Sequence, residues 1–251
     1  MKIGFLSKAQ LSIINKNNYR YPLAEVEKDY FLAIVLEILY ASRLADRLVF
    51  KGGTALHHLY LDQLRFSEDL DFGTLGEVTL SDLEEVFSGY DFLEIKKVSP
   101  SDFSLKIDRL KFTGPLGQPN SIKIDIDLAQ DVLLPAGDLT YHNIYRVPVK
   151  VKGMGLIEIC AEKVRAVNER ARYRDFYDLP MSFKKEQIEP ESVISTLKKK
   201  ELRRPLLAAN IVKNLEIAQA ARDRGLENLL CREEIEKEEI RQVLDKLMSL
   251  L

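Results

Sequence analysis

The sequence predicts an α+β fold, with residues 1–154 as a core lobe mixing strands and helices and residues 155–251 as a helical lobe. Three observations predict it. Strand-like alternation and helical periodicity interleave through the first half, turn residues separate them, and from Gly155 onward the pattern is helical and rich in Glu, Lys and Leu.

Taken in order, apolar Tyr30, Ile34, Ile38 and Ala41 recur at helical spacing, which predicts a buried helix from about Leu23 to Asp46. Its apolar stretch carries Glu37 and falls short of the ~20 residues that span a bilayer, so no membrane association is expected. RLVF then reads as a short strand, broken by Gly52 and Gly53. TALHHLYL resumes a helix with Thr54 as its expected N-cap. DLDF reads as a second strand, and LSDLEEVF as a helix with Ser81 as cap. SLKIDRLKF and SIKIDIDLAQ alternate apolar with polar around the turn-rich GPLGQPN, the pattern of a hairpin. LIEICAEKVRAVNERARYRDFYDL and the chain from about Glu186 read as helices, and the run KKKELRR as a solvated helix face.

Composition narrows the function. The 251 residues are 46% hydrophobic, enough for one large core or two modest ones, which excludes a disordered chain. A formal net charge of -2 leaves nucleic-acid contact to a local basic patch. Cys160 and Cys231 make no disulfide framework, and three histidines without a CxxC pattern argue against structural zinc, so a reducing cytoplasm is expected. The N-terminal MKIGFLSKAQ has an apolar run of four residues, short of the ~7–15 of a signal peptide.

The chemistry concentrates in VFKGGTALHHLYLDQLRFSEDLDF, residues 49–72. Residues two apart in a strand share a face, so Asp69 and Asp71 project together while Leu70 and Phe72 point into the core. Two like charges on one face call for a cation, and paired carboxylates are a common protein contribution to a magnesium site that also uses substrate phosphates. SIKIDIDLAQ offers a third acid, Asp125 or Asp127, if its strand neighbours DLDF. Three acids holding two Mg²⁺ ions roughly 3.5–4 Å apart are suited to in-line phosphoryl or nucleotidyl displacement. The glycine turn before a helix lets backbone N–H groups approach a triphosphate. His57 and His58 read as packing residues rather than catalytic bases, and Tyr173 and Tyr177 as core.

These residues resemble the AbiEii/AbiGii nucleotidyltransferase toxin family, whose hallmark is GGTAL followed by R-x-S-x-D-L-D-F. Here the matches are Lys51 through Leu56 and Arg65 through Phe72. A second block, A-x-K-x-x-A…R-x-x-x-R-D-x-Y-D-L, is matched by Ala161, Lys163, Ala166, Arg170, Arg174, Asp175, Tyr177, Asp178 and Leu179. The resemblance covers roughly residues 25–180. It implies a mixed β-sheet flanked by helices, a C-terminal helical lobe and a cleft between the two lobes. It further implies an enzyme that uses an NTP with Mg²⁺ (or Mn²⁺) and an RNA acceptor such as a tRNA 3′ end, paired with a cognate antitoxin.

On that resemblance Asp69 and Asp71 bind both metals, Asp125 (before Asp127) ligates the metal that activates the acceptor hydroxyl, and Gly52, Gly53 and Thr54 hold phosphates. Lys163 neutralises the β/γ charge, Asp175 belongs to the active site, and Lys51, Arg65, Ser67 and Arg170 join the nucleotide contacts. Ser67 is also a possible site of regulatory phosphorylation, since phosphate there would repel the acids. Two rival readings are an antibiotic-type small-molecule nucleotidyltransferase and a non-catalytic nucleotide- or RNA-binding module of the same fold.

Overall fold

The computed structural model describes residues 4–200 and 204–251. Residues 1–3 of the N-terminal decapeptide and 201–203 of the basic run lie outside the described residues. The chain divides into two compact units. One takes the chain up to Leu59 with Phe66–Val132 and Ala136–Gly153; the other takes Tyr60–Arg65, Leu133–Pro135 and Met154–Leu251.

The first unit contains the helices α1 (Lys8–Asn17), α2 (Leu23–Tyr40), α3 (Gly52–Leu59) and α4 (Leu80–Ser88). Its strands are β1 (Leu48–Lys51), β2 (Asp69–Thr74), β3 (Leu93–Val98), β4 (Ser104–Thr113), β5 (Pro119–Asp127), β6 (Gly137–Thr140) and β7 (Lys150–Gly153). They form a mixed sheet in the order β3-β4-β5-β2-β1-β7-β6. β2 runs parallel to β5 and β1 parallel to β7, while the other neighbours are antiparallel.

The apolar run of α2 forms because its buried positions, Val26 through Leu39, leave almost no polar face, as expected of a helix packed on a sheet rather than exposed to water. Phe31 stacks on Phe112 of β4 at 4.0 Å between centroids, and Tyr40 donates to the carbonyls of Leu48 and Lys152, 3.1 Å each, tying the end of α2 to β1 and β7. The helix stops at Tyr40, and Ala41 is an exposed cap rather than a core position. Beyond it the chain turns sharply to reach β1.

The expected caps also shift. Helix α4 is capped by Thr79, whose hydroxyl accepts from the Asp82 N–H while Asp82 accepts from the Thr79 N–H, and Ser81 lies inside the helix. Both histidines of α3 are buried. His58 Nδ1 lies 2.8 Å from the His142 carbonyl, its Nε2 faces Asp29 Oδ1 at 3.4 Å, and its ring stacks on Tyr141. The hairpin of β4 and β5 forms as its alternation predicts.

The second unit contains α5 (Leu156–Glu169), α6 (Tyr173–Lys185), α7 (Pro190–Leu197), α8 (Ala208–Asp223) and α9 (Lys237–Met248). Tyr173 and Tyr177 are buried. Lys200 of the basic run is also buried, its ammonium 2.7 Å from Glu158 and 2.9 Å from Glu162, so this part of the run is an internal ion pair rather than a solvated face. Glu158 also accepts from the N–H groups of Leu133 and Leu134, 2.9 Å each. Among the described residues, no helix is long and apolar enough to cross a membrane.

Because Ile34 is fully buried on α2, Ile34→Ala should cost about 2–5 kcal/mol. A urea titration that places the variant within 1 kcal/mol of wild type, a bound well below that range, would show that this face does not carry the core.

Candidate active site

Lys51 ends β1 and Gly52 opens α3 with no residue between them. Gly52 has φ +77°, a conformation that strains any L side chain, and a Cβ there would lie 2.2 Å from Asp71 Oδ2 and 2.8 Å from the Asp71 Cβ. The absent side chain is what lets the Asp71 carboxylate sit against the first turn of α3. Gly53 follows inside the same turn.

Register gathers the acids. Pairing of β1 with β2 sets Lys51 opposite Asp71, and parallel pairing of β2 with β5 sets Asp71 opposite Asp125 and Asp69 opposite Lys123. Leu70, Phe72, Ile124 and Ile126 are buried on one side of the sheet, so Asp69, Asp71, Asp125 and Asp127 project from the other. Their surroundings differ. Asp127 Oδ2 lies 3.0 Å from the buried Lys51 ammonium, and its Oδ1 accepts from the Ala129 and Gln130 N–H groups at 3.1 Å, closing the turn after β5. Asp125, directly beside Asp71, has Lys106 at 3.0 Å and Lys123 at 3.9 Å from its Oδ2.

Among the described residues, no three His, Cys, Asp or Glu side chains are gathered as ready metal ligands. Lysines neutralise Asp125 and Asp127 in this arrangement. The donor chemistry still fits a hard divalent cation, because adjacent strands present carboxylate oxygens on one face and Mg²⁺ prefers oxygen ligands.

Thr54 does not cap α3. It is buried in the first turn, and its hydroxyl donates to the Asp69 carbonyl and meets the Ser67 hydroxyl at 2.9 Å. Ser67 precedes β2, which begins at Asp69, so it does not share the alternating face of that strand. Both hydroxyls therefore fix the backbone that presents Asp69.

In the second unit, Arg65, Lys163, Arg170, Asp175 and Asp178 form one ion network. Arg65 binds Asp178 through two N–H groups at 2.6 and 2.7 Å. The Lys163 ammonium lies 2.9 Å from Asp175 and 2.7 Å from Asp178, and Arg170 reaches the second Asp175 oxygen at 2.8 Å. Burial alone would lower the Lys163 ammonium, but Asp175 and Asp178 outweigh it and raise it above its ordinary value. Burial would likewise raise the Asp175 carboxyl, and Lys163 and Arg170 reverse this and hold it at about 2. Lys163, expected to face phosphates, instead has its charge met by two internal carboxylates. Arg170, with 47% of its side chain exposed, is the member open to solvent.

Asp178 could have been paired in advance with Asp175, since three residues apart they share a helix face. Lys106 has no such signal, because only the β4–β5 register places it opposite Asp125.

Over residues 34–250 the sequence matches the family described as Nucleotidyl transferase AbiEii toxin, Type IV TA system. The fold is similar to that of MenT4, a nucleotidyltransferase toxin from Mycobacterium tuberculosis H37Rv, with a TM-score of 0.62 and 19% identity over 96% of this chain and 99% of that one. It is also similar to JHP933 from Helicobacter pylori, with a TM-score of 0.60 and 17% identity over 90% of each chain. No curated protein sequence matches the chain. The mixed sheet flanked by helices is thus the fold of nucleotidyltransferase toxins.

Two outcomes follow from this geometry. Gly52→Ala must strain its backbone and displace Asp71, so the variant should lose about 1–3 kcal/mol, and a denaturation midpoint equal to wild type would show that the turn tolerates a side chain. Asp175 has a depressed pKa, so its stabilisation is present above the ordinary carboxylate value of about 4 and is lost as pH falls toward 2. The stability gap between wild type and Asp175→Asn should narrow by about 2 kcal/mol from pH 5 to pH 2. A constant gap would contradict the ion pairing.

Proposed function

Because this chain belongs to the AbiEii nucleotidyltransferase toxin family, we propose that it transfers an NMP from an NTP to an acceptor hydroxyl at the 3′ end of an RNA, with tRNA as the acceptor and pyrophosphate as the second product. The observation that carries this reading is the placement of Asp71 between Gly52 and Asp125, with Asp69 on the same strand face. In this reading residues 1–154 are the transferase core and residues 155–251 its helical lobe.

Asp69, Asp71 and Asp125 would hold Mg²⁺ or Mn²⁺, which supplies charge neutralisation for the attacking and leaving oxygens. Asp125 is preferred to Asp127 because it pairs with Asp71, whereas Asp127 is engaged by Lys51 and two backbone N–H groups. Backbone N–H groups at the start of α3, from Gly52, Gly53 and Thr54, would face the phosphates, since a helix N-terminus favours anions. Thr54, whose hydroxyl also meets Ser67, holds the Asp69 carbonyl, and Lys51 would keep Asp127 from serving as a metal ligand. Lys163, Asp175 and Arg65 are positioning residues in this scheme, and Arg170 is the cation of that network available to a nucleotide. A cognate antitoxin is the protein partner that a type IV system implies, and the cytoplasm the compartment in which this substrate is found.

Incubating the protein with each labelled NTP and total RNA should place label in the tRNA band. Asp71→Asn should lower this transfer more than about 100-fold, since even second-layer partners of a metal ligand cost about 10–100-fold. The apo melting temperature should stay level or rise, because one of several crowded like charges is removed. Transfer retained by the variant would reject the acid site, and label confined to small molecules would reject the RNA acceptor. NTP should raise the melting temperature only with Mg²⁺ or Mn²⁺ present; an equal rise in EDTA would reject the metal role.

A further inference from the structure

We propose that the open face of β4 and β5, carrying Phe103, Lys106, Lys111 and Lys123, is the surface on which the single-stranded acceptor end of the RNA lies. This inference rests on the transferase reading above and adds to it the residues that hold the second substrate.

The first observation is charge. Lys106 and Lys123 approach the same oxygen of Asp125, at 3.0 and 3.9 Å. Two ammonium groups converge on this one oxygen, with Asp69 opposite Lys123 in register, so both lysines stand beside the acids that a cation would occupy. Both lysines are accessible, with side chains 36% and 40% exposed. Lys111, three pairs along the hairpin from Lys106 and in register with Ser121, has Glu94 at 4.0 Å. Lys97 is matched by Asp108 at 3.4 Å and contributes less. Leu105, Ile107, Leu110 and Phe112 fill the core, and the register shift between Ile107 and Leu110 keeps Lys106 and Lys111 on the side away from it.

The second observation is an exposed aromatic ring. Phe103 is 65% exposed although it adjoins a strand whose apolar residues are otherwise buried. It sits next to the Ser104–Asp127 pair, and its carbonyl accepts from the Leu128 N–H at 3.0 Å, which fixes its backbone at the end of the hairpin where the acids lie. Lysines along a sheet face with an aromatic at one end match the requirements of single-stranded nucleic acid, whose phosphates seek ammonium groups and whose bases stack on any ring. A double helix would not use Phe103, since its bases are already stacked.

The placement couples two ligands. A divalent cation held by Asp125 would compete with Lys106 and Lys123 for that carboxylate. Its binding would free both ammonium groups for phosphates, so the cation should strengthen rather than only screen RNA binding.

Binding of a fluorescent single-stranded oligoribonucleotide to the full chain, followed by anisotropy across a salt series, tests the proposal. Lys106→Ala with Lys123→Ala should weaken binding about tenfold or more and reduce the log–log salt slope by about 1.4, two phosphates at ~0.7 each. Phe103→Ala should weaken binding at least about fivefold without changing the slope. At constant ionic strength, Mg²⁺ should tighten wild-type binding and leave the double lysine variant unaffected. Unchanged affinity and slope in the double variant, or equal affinity of wild type for duplex DNA with no effect of Phe103→Ala, would overturn the proposal. The melting shift produced by NTP with Mg²⁺ separates the two readings: if it persists while RNA binding ignores these residues, only the surface is wrong, and if it is absent from wild type, the nucleotide site itself is wrong.

Discussion

The space that a side chain at residue 52 would fill is taken by the carboxylate of Asp71. That exclusion links the turn after β1 to the acid pair on β2, because only glycine can both adopt φ +77° and leave the room. It explains why the glycines and the acids lie close in sequence: the strand, the tight turn into α3 and the returning antiparallel strand form one unit in which Lys51 and Asp71 stand opposite one another. The Thr54 hydroxyl reinforces the unit by donating to the Asp69 carbonyl, and the Ser67 hydroxyl meets it.

Electrostatic compensation is local in each unit. On the sheet face, Asp125 lies against Lys106 of the neighbouring β4 and Asp127 against Lys51 of β1, beyond β2, so like charges held in register do not stand uncompensated. In the helical unit, Arg65, Lys163 and Arg170 surround Asp175 and Asp178. Of these, Arg65, Lys163, Asp175 and Asp178 are buried, and buried ions persist only when each has a partner with good geometry, which the two-pronged Arg65–Asp178 contact supplies. The two networks do different things chemically. A carboxylate paired with part-exposed lysines, as Asp125 is, can exchange those partners for a cation, whereas carboxylates saturated inside a helical core cannot do so without losing the fold. This contrast is why Lys163 and Asp175 enter the reading as positioning groups and Asp125 as a ligand.

The amino-acid sequence by itself determined the local grammar of this protein. Period-two alternation put Asp69 and Asp71 on one face and Leu70 and Phe72 on the other; helical spacing made α2 a buried helix; and the two family blocks identified the nucleotidyltransferase fold. Its errors were also local. The α2 pattern ran on past Tyr40 into a turn, and Thr54 and Ser81 were read as caps because a hydroxyl near a helix start suits that role, whereas α3 begins at Gly52 and Thr79 caps α4. The four-residue strands β6 and β7 are too short to show a period of their own.

Tertiary structure alone decided which distant side chains became neighbours. Asp71 and Asp125 meet because β2 pairs in parallel with β5, and a parallel partner is not announced by either strand's own alternation. The same pairing separated Asp125, beside Asp71, from Asp127, drawn to Lys51. Register within the β4–β5 hairpin likewise delivered Lys106 to Asp125. The fate of Lys163 followed from burial, since a lysine on a helix face reads the same in sequence whether it meets water, a triphosphate or two carboxylates of the next helix. Periodicity is a property of one segment, while charge pairing depends on which segments the core brings together, and that is settled only when the chain has packed.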